Sequence, residues 1–205
     1  MANHVHTYVE FHRINDEGKA LLQELYSRVR KDGNHEWFAD IFVDGKDGSP
    51  SYEETEKYEF TYEHVGPKWS YFEEFGENYF IMESAWSWPE TGVEWIFDQV
   101  SEVDPSFIAH VTYEDEMPNF AGVYVYNSDG IVDGYEDDAE EIRDLLLNTV
   151  DGLMDEWDRE EQEFTEEGEE MYQENIWEEI SNAQMTLVND TLKYLEDLEK
   201  EAVAG

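Results

Sequence analysis

The chain has 205 residues and a formal net charge of −41 at pH 7, enough length for one sizeable domain plus an appendage. A surface of that sign repels phosphate, which excludes a binder of free nucleic acid or of an anionic membrane. Hydrophobic residues at 40% and aromatics at 15% supply a core and exclude global disorder, while the lack of cysteine excludes disulfides, thiolate zinc sites and thiol catalysis. No segment approaches the roughly 18 consecutive apolar residues of a membrane span, and the N-terminus lacks the basic and apolar regions of a signal peptide. The sequence reads as soluble and intracellular.

His4 to Phe11 alternates as a first strand, with Val5, Val9 and Phe11 on one side and His4, His6, Tyr8 and Glu10 on the other. Asn15 or Asp16 can cap a helix carrying Leu21, Leu22, Leu25 and Val29, with Arg28, Arg30 and Lys31 near its end and Gly33 as the stop. Residues 34–56 read as an insertion around the turn cluster Asp44 to Pro50. Tyr58 to Val65 alternates and predicts a strand that Gly66-Pro67 breaks. Tyr79 to Trp86 predicts another, leading into a helix whose start carries Ser87, Pro89 and Glu90 in capping-box spacing. Strands follow over 107–113 and 120–126, and Asn127-Ser-Asp-Gly130 is a hairpin signal before a short strand at Ile131-Val132. This order matches the split β-α-β, ferredoxin-like arrangement. From Glu136 two amphipathic patterns, Ile142 to Trp157 and Met171 to Leu198, flank Gly168 and predict an antiparallel helical hairpin.

Four segments occur in sequence: Met1-Ala-Asn-His-Val5, Gly66-Pro-Lys-Trp69, Glu83-Ser-Ala-Trp-Ser87 with Pro89, and Phe120-Ala-Gly-Val-Tyr-Val-Tyr126. In them residues 1–132 resemble the Api-type ferredoxin-like domain of bacteriophage and prophage proteins, departing from its pattern at Ala2, Ser70 and Trp88. The resemblance implies a phage source and a ferredoxin-like fold. It carries no established chemistry and no site residues.

Solubility needs only roughly 2–8 charges in a small domain, so the excess calls for a reason. A salt-adapted proteome is one. Such chains are expected to be rich in Ala and lean on large aromatics, whereas this one holds 13 Tyr, 11 Phe and 7 Trp. A surface shaped for a basic partner is the other. Residues 135–201 hold 25 acids against 4 bases. A helix of about 30 residues extends about 45 Å, a length over which duplex DNA displays roughly 26 phosphates.

His4, His6, Glu10 and His12 share one side of the first strand, and His110 can lie beside them, a set suited to zinc or nickel. A polar sheet face is the plain alternative. Trp69, Trp86 and Trp88 could form an aromatic platform, although core packing explains them as well. No phosphate loop, EF-hand or nucleophile motif is present.

The sequence thus predicts an α+β protein. Residues 1–134 form a ferredoxin-like antiparallel sheet with an extra C-terminal strand and an insertion at about 34–56, and residues 135–205 form a long acidic helical hairpin. The expected function is non-enzymatic and needs no cofactor. It is binding of a basic or DNA-binding host or phage protein in the host cytoplasm, as a mimic of double-stranded DNA that inhibits a nuclease, defence or transcription protein. The residues expected to carry it are Glu160, Glu161, Glu163, Glu166, Glu167, Glu169 and Glu170. Two alternatives stay open: a virion or assembly component that oligomerises through the C-terminal helices, and a histidine-based metal-binding domain or enzyme with His4, His6 and His110 as ligands.

Overall fold

Alternation makes His4–Arg13 the first strand, β1, with Val5, Thr7, Val9 and Phe11 buried on one face. The computed structural model describes residues 3–29, 31–32, 35–42 and 57–204. Packing divides the chain into two units, residues 1–117 with 124–133, and residues 118–123 with 134–205.

In the first unit, α1 (Asp16–Ser27) and α3 (Glu90–Val103) bury Leu22, Leu25, Val93, Ile96, Phe97 and Val100. Phe11 meets Phe97 edge-on at 5.6 Å between ring centroids, so the core face of β1 lies against α3. The remaining elements are β2 (Lys31–Asp32), β3 (His35–Trp37), a 3-10 turn (Phe38–Phe42), α2 (Lys57–His64), β4 (Ser70–Phe75), β5 (Tyr79–Ala85) and β6 (Ile108–Asp115). β7 (Phe120–Asn127) and β8 (Gly130–Asp138) are divided between the two units. β1 is central and antiparallel to both β5 and β6. The described strands form an eight-stranded sheet in the order β2-β3-β4-β5-β1-β6-β7-β8. The protein is therefore mixed α/β, with a large antiparallel sheet and a long C-terminal helix. That strand order is not the ferredoxin-like one expected from the element sequence.

Other differences are local. Residues 57–64 are helix, because Thr61 and Val65 are the fully buried positions, four apart, while Tyr58 and Tyr62 face solvent. The strand that pairs with β5 in place of the one expected over 58–65 is β4, whose alternation is hidden by an irregularity between Phe72 and Glu74. Helix α1 stops at Arg28, which donates to the Ile41 carbonyl and pairs with Glu24 at 2.9 Å. The Ser87 capping box does not form: Pro89 starts α3 without a side-chain cap. Gly33 and the Asp44–Pro50 cluster lie outside the described residues.

The second unit contains α4 (Ala139–Thr149), a 3-10 turn (Leu153–Glu156), the small antiparallel pair β9 (Trp157–Asp158) and β10 (Glu163–Phe164), and α5 (Glu166–Ala204). A capping box does form here, between Asp138 and Glu141 at the start of α4. Its core joins Ile142, Leu146 and Leu153 to Tyr172, Ile176 and Ile180. The two helices are thus linked through a turn and a β-ribbon, not by the simple bend expected at Gly168. Gly168 sits in the first turn of α5, where a Cβ would lie 2.6 Å from the Glu156 Cβ. The glycine is needed for close packing, and the helix runs on through it.

Candidate functional site

The polar side chains of β1 divide into two clusters. Strand pairing sets Glu10 opposite both Tyr79 of β5 and His110 of β6. A register shift between Phe11 and Arg13 leaves His12 without a direct cross-strand partner. Its ring stacks on His110 at 4.8 Å, and its Nε2 lies 2.7 Å from His110 Nδ1. Ligand-capable atoms of Glu10, His12 and His110 all fall within 4.8 Å of one another.

Burial grades across this cluster, with His12 exposed, Glu10 half-buried and His110 fully buried. Burial, with some repulsion from His12, pushes His110 down to about 4. Burial also lowers His12, partly countered by Glu10. Both imidazoles are therefore neutral near pH 7. One of the facing nitrogens donates to the other, and His110 Nε2 is buried without a hydrogen-bond partner among the described residues. Tyr8 completes the group: its ring lies 5.6 Å from that of His110. Burial and the Glu10 carboxylate push the phenol up to about 12.

The other cluster holds His4 and His6. His4 Nδ1 bonds Glu83 and its ring meets Trp69 edge-on, and the Glu83 bond raises its pKa against opposing desolvation. His6 Nδ1 is 3.8 Å from Glu73. Of the set His4, His6, Glu10, His12 and His110 read from the sequence, Glu10, His12 and His110 come together, whereas the named ligands His4 and His6 do not join them. That convergence depends on a register shift that alternation does not reveal. Tyr8 was missed because a phenol in a strand reads as packing.

The aromatic residues separate as well. Trp88 is buried and stacks on Tyr113. Trp69 stacks on Tyr71. Trp86 is 53% exposed, with a left-handed φ of 68° and Lys68 Nζ 5.5 Å from its ring centroid. They form no shared platform.

In the second unit, Glu160, Glu161, Glu163, Glu166, Glu167, Glu169 and Glu170 are all exposed. They follow the β9–β10 ribbon into the first turn of α5, where the helix dipole favours acids. None is ion-paired among the described residues. Together with Asp158, Glu174, Glu178 and Glu179 they make a dense acidic block, interrupted by one base, Arg159. Residues 180–189 of α5 then carry no acid. No helix among the described residues is long and apolar enough to cross a membrane. No protein-family model, curated protein or solved structure matches the chain.

Proposed function

We propose that this is a non-enzymatic acidic protein that binds a basic partner through the block from Asp158 to Glu179, a partner whose own site normally holds duplex DNA. The observation carrying this reading is the exposed run of seven glutamates, none of them ion-paired among the described residues. From Glu166 to Glu179 the helix rises about 20 Å, a length over which a duplex presents about 12 phosphates. That length of helix carries 7 acids, and the ribbon before it adds Asp158, Glu160, Glu161 and Glu163. The acid-free stretch at 180–189 confines this to the start of α5, so the footprint is a patch and not a full-length rod. A field of this density gives fast, salt-sensitive association.

A bacteriophage source and action on a host nuclease, defence or transcription protein belong to the same proposal and rest on the four sequence segments alone. As to fold kinship, we read the inner order β4-β5-β1-β6, with α1 and α3 as connections, as a split β-α-β core to which outer strands were added. The oligomerising alternative gains nothing from α5. Its half-exposed Trp177, Met185, Tyr194 and Leu198 are spaced by eight, nine and four residues, which turns them to different sides of a helix.

The test is affinity capture from bacterial lysate by the wild type and by a variant with the seven glutamates changed to Gln. The wild type is expected to retain basic DNA-binding proteins that high salt or added duplex DNA releases, and the variant to lose them. Equal retention by both would sink the proposal.

A further inference from the structure

The acidic block belongs to the second unit and says nothing of the Glu10, His12 and His110 cluster in the first. We propose that Glu10, His12 and His110 bind one divalent first-row transition-metal ion, Zn²⁺ being the best match, at the solvent-facing end of this cluster.

The donor set comes first. Two imidazoles and one carboxylate suit zinc, nickel or cobalt, whereas calcium and magnesium prefer oxygen throughout. Geometry comes second. Two nitrogens on a tetrahedral ion at about 2.05 Å each lie about 3.3 Å apart, so the 2.7 Å pair of His12 and His110 must open by about 0.6 Å. His12 is exposed and stands outside the regular ladder, so its side chain can supply that movement. The carboxylate of Glu10, already within 4.8 Å of both, closes by a change of rotamer.

Access comes third. Exposure of His12 gives the ion an entry path, and three protein ligands leave a fourth position open to water.

An acidic protein collects divalent cations weakly all over its surface, so the test must separate that background. Zn²⁺ titration by calorimetry and visible absorption of the Co²⁺ form are run in a large excess of Mg²⁺. The wild type is expected to bind one ion with a tetrahedral Co²⁺ spectrum. The surface variant His12→Ala is expected to lose at least about tenfold in affinity. The variant His4→Ala, His6→Ala, altered in the separate cluster, should bind as the wild type does. Equal affinity of wild type and His12→Ala, loss of the site in the His4, His6 variant, or displacement by Mg²⁺ would each overturn the assignment. None of these readouts involves the glutamates of the second unit, so the two proposals fail independently.

Discussion

At the scale of single residues, Asp104 is a tightly held carboxylate. It is buried at the end of α3 and accepts hydrogen bonds from the Asn15 amide at 2.6 Å and from the Ser106 amide and hydroxyl at 3.1 and 2.7 Å. Burial alone would raise its pKa. The Asn15 and Ser106 donors, helped by Arg13, outweigh burial and hold the carboxyl below its usual value. A depressed folded-state pKa contributes stability above the unfolded value, and that contribution is lost as pH falls through the folded one. Asp104→Ala is therefore expected to cost about 2–3 kcal/mol at pH 7, since it orphans the amide that starts α1. Asp104→Asn should cost less, with a deficit that shrinks below about pH 4, near the unfolded carboxylate value. Denaturant unfolding at pH 7 and pH 3 checks both. An Asn deficit unchanged between the two pH values would show that ionisation is not what matters.

At the scale of elements, burial spacing separates what can be read from what cannot. Along α5 the buried positions are Tyr172, Ile176, Ile180, Gln184, Val188 and Thr191, a run of fours closed by a three that keeps one stripe inward. Ile176 is 1% exposed between α4 and α5. Ile176→Ala should destabilise the second unit by about 2–4 kcal/mol, measured by thermal unfolding with amide exchange resolving which unit opens. A loss below about 1 kcal/mol would mean that this core is not what holds α5. Of the apolar stripe read from the sequence, Ile176, Ile180 and Val188 are buried, whereas Leu198 is exposed and Tyr172, Gln184 and Thr191 take inward positions that an apolar pattern does not reveal. The face of β1 was legible because alternation and burial coincide there. Residues 57–64 were not, because Tyr58, Phe60 and Tyr62 imitate strand alternation while burial follows Thr61 and Val65. The capping pattern at Ser87 misled too. The Ser87 carbonyl accepts from the Ser84 hydroxyl instead, while Trp86 takes the left-handed conformation at the strand exit. The three-donor cluster was half legible: alternation places Glu10 and His12 on one face, but the shift that stacks His12 on His110 is a tertiary event.

For the whole molecule the charge of −41 dominates. Bases are too few to neutralise it, and the ion pairs that do form, such as Lys19–Glu77 and Lys200–Asp197, are on the surface, where each contributes little. Self-repulsion therefore opposes folding, and salt relieves it, since the screening length falls from about 30 Å at 0.01 M to about 10 Å at 0.1 M. The melting temperature is expected to rise over that interval of NaCl. A flat or falling profile would mean that the acids are spaced widely enough not to repel. The same field that strains the fold is the one available to attract a basic partner.

The most direct measurement of that claim is the salt dependence of affinity between the protein and its captured basic partner, for the wild type and the seven-Gln variant. The account predicts a steep loss of affinity with rising salt for the wild type, and weaker binding with a shallower slope when Glu160, Glu161, Glu163, Glu166, Glu167, Glu169 and Glu170 are neutral. Coincident slopes and affinities for the two proteins would contradict it.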